Sequence, residues 1–254
     1  GLIVTVADDP SMHSSQNEQD SRFFGKFAMI PIFEPASQQE AYDMTYEGFE
    51  LSEKLKIPIM MRITTRLSHS RAGIETRPLK KENKLKYPED PIQFVLLPSN
   101  ARKRYKGLLG LQSLMEQEAE RSSFNTYYPA RNKSLGIIAC GIAFNYLMEN
   151  YSERKFPHPV LQLGQYPLPF SKVEKIVTAC DQVLILEDGY PLVEEMLKGY
   201  LDKNSKIKGR LDGTISRDGE LNPDIVGRAL GRPVKRGMPI PKIVANRPPE
   251  LCSG

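Results

Sequence analysis

Short apolar segments alternate with helix-like segments along most of this chain, and this alternation limits its fold more than any other feature. Between the apolar segments, hydrophobic side chains recur every three or four positions, which is the spacing of an amphipathic helix. This pattern is typical of parallel sheets whose strands are joined by helices, so we predict an α/β fold. The predicted strands cover residues 1–7, 28–33, 57–63, 135–139, 160–163, 183–186 and 207–211.

A stretch rich in proline and lysine interrupts the alternation and divides the chain into predicted units. Residues 1–76 are expected to form an open parallel sheet, and residues 77–132 a linker that ends in a helix at 107–121. Residues 133–232 restart the strand–helix pattern as a second α/β unit, and residues 233–254 are expected to be an extended tail. The strands of the two units should therefore lie in separate sheets.

Two segments with the S-x-x-E spacing predict where helices begin: Ser37 with Glu40, and Ser171 with Glu174. In such a capping box the serine side chain accepts a hydrogen bond from the glutamate backbone, while the glutamate side chain reaches back to the helix start. We therefore expect Ser37 and Ser171 to be the N-caps of two helices.

Composition excludes several classes of protein. The 35 basic and 31 acidic residues leave a net charge of +4, too small to indicate a nucleic-acid partner. No apolar run reaches the ~18 residues of a membrane-spanning helix. The cysteines, Cys140, Cys180 and Cys252, form no C-x-x-C pair, which favours free thiols in a reducing, cytoplasmic compartment. An apolar start at Gly1, without methionine, leads us to expect a further segment before it.

The segment after the first predicted strand carries the densest group of side chains that could bind a ligand. Ligands of open parallel sheets bind beyond the carboxyl ends of the strands, and Arg22 offers a planar fork that suits a carboxylate. A solvated loop would have a similar composition, because loops are usually polar. The candidate residues are His13, Ser14, Ser15, Gln16, Asn17, Gln19 and Arg22.

A second polar group follows the predicted strand at 57–63 and includes Arg66 and His69. It lies at the same edge of the sheet if that strand runs parallel to the first. His69 could act as a base or a ligand, but the commoner role of such a histidine is in a hydrogen-bonded surface turn. Further along, Glu187 and Asp188 end another predicted strand, where acidic residues mostly cap the next helix.

Motifs for several reactions are absent from the sequence. It contains no phosphate-binding P-loop, no dinucleotide-binding glycine motif, no nucleophile elbow and no metal-ligand set. The histidines at positions 13, 69 and 158 lie far apart. Spacing alone therefore identifies no reaction.

Several long segments resemble the alpha subunits of indolepyruvate ferredoxin oxidoreductases, a thiamine-diphosphate-dependent family of 2-oxoacid:ferredoxin oxidoreductases. The two most specific are the polar loop at residues 7–22 and the segment RITTRLSHSR at 62–71. The resemblance covers most of the chain and is weakest at 77–128. Further matching segments lie at residues 26–28, 34–35, 39–41, 49–53, 166–169, 211–214, 219–225 and 247–254.

This resemblance implies an identity for each predicted unit. Residues 1–76 would be the C-terminal part of a thiamine pyrimidine-binding domain, and residues 133–232 a transketolase C-terminal-like domain. The tail at 233–254 would lead to a diphosphate-binding domain outside this chain. The intact subunit would hold thiamine diphosphate with Mg²⁺ and [4Fe-4S] clusters, and we expect none of these groups on this fragment.

The resemblance also implies an activity, the oxidative decarboxylation of arylpyruvates such as indolepyruvate to aryl-acetyl-CoA. Coenzyme A would take the acyl group and ferredoxin the electrons, and a beta subunit and a second copy of the chain are the expected protein partners. Related pyruvate:ferredoxin oxidoreductases have an active-site arginine that aligns with Arg22, so Arg22 is expected to hold the 2-oxoacid carboxylate. Alternatively, Arg22 ties down its loop through Asp20 or Glu18.

Two other functions stay open at this point. One is a different thiamine-diphosphate enzyme of the transketolase type, because the G-D-G motif that would separate the two types is not in this chain. The other is a non-catalytic module that assembles such a complex. The fragment by itself is expected to be inactive.

Overall fold

The computed structural model describes residues 1–84, 86–151, 155–198, 207–210, 212–216 and 219–233. These residues form two mainly parallel β-sheets with helices packed against them, which confirms the predicted α/β fold. No helix in the described ranges combines the length and apolarity needed to cross a membrane. Residues 234–254 of the predicted tail, with Cys252, lie outside the described residues.

The first sheet has the strand order β1-β3-β2-β7. β1 and β3 are parallel neighbours along their full six-residue length, and β2 is parallel to β3 on its other side. The carboxyl ends of β1 and β3 therefore meet at one edge of the sheet, as the sequence predicted. These strands are β1 (Ile3–Asp8), β2 (Ile32–Phe33), β3 (Ile59–Thr64) and β7 (Gln165–Tyr166).

The second sheet has the order β4-β6-β5-β8-β9. Its three central strands are buried along their whole length, because helices cover both faces, as is usual for parallel sheets. Its strands are β4 (Tyr127–Tyr128), β5 (Gly136–Cys140), β6 (Val160–Leu163), β8 (Val183–Leu186) and β9 (Ile207–Lys208). The helices that follow the linker are α5 (Ile142–Asn150), α6 (Phe170–Ala179), α7 (Leu192–Lys198) and α8 (Pro223–Ala229).

The two sheets are distinct, but their boundary does not coincide with a single boundary in the sequence. β7 follows β6 after one residue, yet it leaves the second sheet and pairs antiparallel with β2 of the first. The chain beyond residue 132 thus contributes a strand to the first sheet. The identity of each unit as a domain of a thiamine enzyme stays a prediction.

Three helices precede the linker: α1 (Arg22–Ala28), α2 (Gln38–Leu55) and α3 (Thr65–His69). The strand predicted at 28–33 is shorter than expected, because Met29 adopts a left-handed conformation, with φ of 58°, that ends α1. Only the last two residues of that prediction form β2.

The linker is more helical than predicted. A 3-10 turn covers Pro91–Phe94, and α4 covers Pro98–Arg121 instead of beginning at residue 107. Pro98 occupies the first turn of α4, where its fixed φ suits a helix and its missing N–H removes no hydrogen bond. The first half of α4 is exposed, while Met115 and Ala119 near its end are buried.

Of the two predicted capping boxes, one is present in the structure and the other is not. Ser37 is the N-cap of α2, and its hydroxyl accepts a hydrogen bond from the backbone N–H of Glu40 at 3.2 Å. The Glu40 carboxylate reaches back one residue further than expected, to the N–H of Ala36. The prediction for Ser171 is wrong, because α6 begins at Phe170 and has no side-chain cap.

Replacing Ser37 by alanine is therefore expected to lower the free energy of unfolding by about 1 kcal/mol, the usual cost of losing such a cap. The melting temperature should fall by roughly 2–4 °C. Ser171→Ala is a matched control, because this exposed serine caps nothing. Differential scanning fluorimetry of both variants checks the prediction, and equal losses would contradict it.

Candidate functional site

The two polar segments predicted from the sequence meet at the carboxyl edge of the first sheet. They line a shallow depression between the loop after β1 and the helix after β3. Its walls are formed by His13, Ser14, Thr65, Arg66, His69 and Ser70. The parallel pairing of β1 with β3 brings these segments together.

Asp9 fixes the shape of the loop after β1. Its carboxylate accepts hydrogen bonds from the backbone N–H groups of Ser14 and Ser15, at 2.7 and 2.8 Å. The hydroxyl of Thr65 donates to the other carboxylate oxygen at 2.6 Å, which joins the loop to α3. Burial opposes ionisation, but these hydrogen bonds together hold the pKa of Asp9 below its usual range. The loop is thus ordered by an ionised carboxylate rather than loosely solvated.

Glu220 from the second half of the chain closes one side of the depression. Arg66 donates to both of its carboxylate oxygens, at 2.5 and 2.7 Å, and a ring nitrogen of His13 lies 3.0 Å from one of them. Arg66 and His13 are themselves exposed. The charge of Arg66 is therefore already paired, but its side chain stays accessible to solvent.

The other predicted loop residues are divided between two surfaces. Asn17 and Gln19 line a separate depression beside Phe24 and Tyr190. Ser15 is half-buried against Asp9, and Gln16 is exposed. His69 lies on the wall of the first depression and is exposed, as expected for a histidine in a surface turn.

Arg22 lies inside the protein and not at the depression. Its side chain is fully buried, and its Nε and one NH₂ group donate to Asp20. The other NH₂ group donates to Glu187 at 2.9 Å, and the carbonyl of Tyr190 accepts a further bond at 2.7 Å. A substrate carboxylate would have to displace these buried partners. The geometry thus disagrees with the expected substrate contact and favours the alternative in which Arg22 is structural.

Arg62, which the sequence did not single out, is the second buried arginine of the same cluster. Its Nε donates to Asp8 and one NH₂ group to Glu34, each at 2.5 Å. The other NH₂ group donates to the carbonyl of Asp188 at 2.8 Å. Glu34 also accepts the hydroxyl proton of Tyr166 at 2.8 Å. Arg62 therefore joins the carboxyl end of the first sheet to that of the second.

We call this set of residues the inter-sheet ion cluster. It comprises Asp8, Asp20, Arg22, Glu34, Arg62, Glu187 and Asp188, each at most 8% exposed. The single sequence signal for it was a charged residue inside an otherwise apolar strand, Arg62 within Ile59–Thr64. Spacing gives no sign of the acidic partners, because they come from separate parts of the chain.

Glu187 caps α7, as predicted. Its carboxylate accepts hydrogen bonds from the backbone N–H groups of Val193 and Glu194 in the first turn of that helix. Burial raises the pKa of Glu187 to about 7, although Arg22 and these N–H groups oppose the rise. Burial also raises the pKa of Asp188 to about 6. Burial opposes the ionisation of Asp20 too, but Arg22 and Arg62 lower its pKa to about 2.

The raised pKa of Glu187 predicts that Glu187→Gln becomes less harmful as the pH rises. The folded-state pKa of about 7 lies above the ordinary value of 4.5, so the folded protein favours the protonated form. That contribution to stability is fully present below pH 4.5 and is lost as the pH rises through 7. It amounts to about 3 kcal/mol at most. Glutamine resembles the protonated acid and does not lose this contribution.

The measurement is the difference in melting temperature between Glu187→Gln and the unchanged protein at pH 5 and pH 8. We expect this difference to move in favour of the variant by several degrees at the higher pH. Glu116→Gln removes a charge at an exposed position of α4 and serves as the control. A difference that is constant with pH, or that moves the other way, would contradict the assignment.

The described part of the chain offers no evident metal site. Among the described residues, no group of three or more histidines, cysteines, aspartates and glutamates is arranged to hold a metal ion. Cys140 and Cys180 are buried free thiols, as predicted. These residues therefore do not fit Mg²⁺ or an iron–sulfur cluster.

Comparison with known proteins gives relatives for the whole chain, although no protein-family model matches it. The indolepyruvate oxidoreductase subunit IorA of Methanothermobacter thermautotrophicus is 36% identical over 265 residues, which cover 100% of this chain. IorA of Archaeoglobus fulgidus is 35% identical over 100% of the chain, and IorA of Thermococcus kodakarensis is 34% identical over 99%. This chain resembles IorA along its full length.

The alignments with IorA also show that the chain is much shorter than these relatives. It spans 43% of the IorA of M. thermautotrophicus and 42% of that of T. kodakarensis. The resemblance inferred from the polar loop and the RITTRLSHSR segment is confirmed. The activity of IorA as a whole, however, belongs to a longer protein than this chain.

A solved structure supports the same fold at greater distance. The 2-oxoglutarate:ferredoxin oxidoreductase from Magnetococcus marinus, solved with 2-oxoglutarate, coenzyme A and succinyl-CoA bound, has a TM-score of 0.59 and 11% identity. The similarity covers 90% of this chain and 48% of that one. At this identity the comparison shows a shared fold only.

Proposed function

We propose that this chain is part of the alpha subunit of an indolepyruvate:ferredoxin oxidoreductase. The intact enzyme would decarboxylate arylpyruvates oxidatively, pass the electrons to ferredoxin and transfer the acyl group to coenzyme A. The observation that carries this proposal is the 34–36% identity to archaeal IorA subunits over the whole chain. A cytoplasmic location is part of the same proposal.

Within that enzyme, the depression beside β1 and β3 would form one wall of the substrate cleft. It lies at the carboxyl edge of a parallel sheet, where open α/β sheets bind their ligands. His13, Arg66 and His69 are its exposed polar side chains. The proposed thiamine diphosphate, Mg²⁺ and [4Fe-4S] clusters are assigned to the rest of the subunit, because the described residues do not fit the metal ions.

The surface of the linker supports a role within a larger assembly. Ile92, Phe94 and Leu96, on and just after the 3-10 turn, are 58, 70 and 92% exposed. Contiguous exposed apolar surface usually marks an interaction site. This feature fits the proposed beta subunit and homo-oligomer, and it equally fits the alternative of a non-catalytic assembly module. A transketolase-type enzyme is the other alternative.

An activity assay distinguishes these possibilities. The whole subunit is co-produced with its beta subunit under anoxic conditions and supplied with coenzyme A and methyl viologen as electron acceptor. We expect reduction of the dye with indolepyruvate and less with pyruvate or 2-oxoglutarate. Dye reduction with 2-oxoglutarate alone would contradict the arylpyruvate assignment, and no reduction with any 2-oxoacid would favour the assembly module.

A further inference from the structure

Three buried oxygen atoms lack a hydrogen-bond partner among the described residues, and all lie near the carboxyl edges of the two sheets. They are Oγ1 of Thr64, the hydroxyl of Tyr146 and Oδ2 of Asp188. Their residues are 4, 7 and 0% exposed. Thr64 ends β3, Asp188 follows β8, and Tyr146 belongs to α5. Buried polar atoms are normally paired, so each of these needs a partner that the chain does not supply.

The strand geometry turns Thr64 toward Asp188. Side chains two positions apart on a strand point to the same face, so Thr64 shares a face with Arg62. Arg62 donates to the backbone carbonyl of Asp188 at 2.8 Å. The end of β3 and the end of β8 are therefore in direct contact on the side that Thr64 faces.

Tyr146 approaches the same place from the second sheet. It packs in one core cluster with Leu67 of α3, the helix that follows Thr64. Burial raises the pKa of its hydroxyl, and the neighbouring carboxylates of Asp188 and Glu220 raise it further. The hydroxyl is therefore close to the carboxylate of Asp188, although no direct hydrogen bond joins them.

The remaining contacts of Asp188 leave one oxygen directed at this space. Its Oδ1 accepts a hydrogen bond from the N–H of Leu221 at 3.2 Å, whereas Oδ2 accepts none. Two hydroxyls and one carboxylate oxygen can satisfy a water molecule, which donates two hydrogen bonds and accepts one or two. A cation fits poorly, because the positive charges of Arg62 and Arg210 already act on this carboxylate.

We propose that Thr64, Tyr146 and Asp188 bind one internal water molecule that bridges the carboxyl ends of β3 and β8. This water would continue the contact that the inter-sheet ion cluster makes through Arg62. It would lie beneath the Arg66–Glu220 ion pair at the margin of the candidate substrate depression. The proposal does not depend on which 2-oxoacid the intact enzyme uses.

The sign of a mutational effect tests this proposal. If the site is empty, Thr64→Val and Tyr146→Phe each remove a buried unpaired hydroxyl and should raise the melting temperature. If a shared water is bound, each change breaks one of its hydrogen bonds, and the melting temperature of the intact subunit should fall by roughly 2–4 °C. The double variant should then lose less than the two single losses added together, because both act on one water.

Thr5→Val, at an exposed position of the neighbouring strand β1, controls for the exchange of threonine for valine on a strand. An unchanged or higher melting temperature for either single variant would overturn the proposal. Losses that add fully in the double variant would also overturn it, since they would show two separate partners. A crystal structure of the intact subunit should show a density peak within hydrogen-bond distance of all three oxygens.

Discussion

Replacing Arg62 by methionine is expected to lower the free energy of unfolding by about 3–5 kcal/mol, the usual cost of removing one partner from a buried ion pair. Methionine retains the length and apolar stem of the side chain, so the loss arises mainly from charge and hydrogen bonding. Arg62 is fully buried and donates to two carboxylates and one carbonyl. Its removal leaves Asp8 and Glu34 buried without this countercharge.

The expected effect is a fall in melting temperature of roughly 10 °C, which circular dichroism can follow. Arg66→Met is the matched control, because Arg66 is four residues further along but its side chain is 59% exposed. Exposed ion pairs contribute at most about 1 kcal/mol. Similar melting temperatures for the two variants would contradict the structural role of the inter-sheet ion cluster.

Gly189→Ala is expected to destabilise the protein by a similar amount for a different reason. A Cβ atom at this position would lie 2.7 Å from Oδ2 of Asp20 and 2.9 Å from a guanidinium nitrogen of Arg62. Both distances are too short, and both groups are held in the buried cluster. Gly189 also has a φ of 117°, which side-chain-bearing residues rarely adopt.

The two contributions can be separated with a second glycine. Gly213 has a φ of 84°, and a Cβ atom there would meet no atom within 4 Å. Gly213→Ala should therefore cost only the backbone strain, about 1–3 kcal/mol. Gly189→Ala should cost that amount plus the displacement of buried charges, and urea unfolding of both variants measures the difference. Equal losses would mean that the cluster tolerates the extra methyl group.

The sequence predicted the parts of the fold that depend on local patterns. Strands such as 160–163 and 183–186 were placed correctly, because apolar runs of this length between helical segments have few other interpretations. The Ser37 cap was also local and was found. The transfer of β7 to the first sheet was not predictable, because a two-residue strand has no periodicity and its partner is 130 residues away in sequence.

The candidate site was predicted in its position but not in the roles of its residues. The rule for parallel sheets brought His13, Arg66 and His69 to one edge correctly. It could not distinguish an arginine that faces solvent from one that is buried, since both belong to polar segments. Arg22 and Arg62 are therefore understood only through their partners, which come from distant strands and loops.

The central claim is that the arginines at this edge have different roles. Arg22 and Arg62 hold the two sheets together, whereas Arg66 faces the depression where a substrate would bind. Both roles can be measured in the intact enzyme by comparing Arg22→Met with Arg66→Ala.

The decisive measurement records melting temperature and kcat/KM, per folded active site, on the same preparations. For Arg22→Met, we predict a melting temperature lower by roughly 10 °C, since a buried ion pair is broken, and a kcat/KM within about twofold of the unchanged enzyme. For Arg66→Ala, we predict a small thermal effect. An Arg22→Met enzyme with unchanged melting temperature and a kcat/KM about tenfold or more lower would contradict this account and restore Arg22 as the substrate-binding residue.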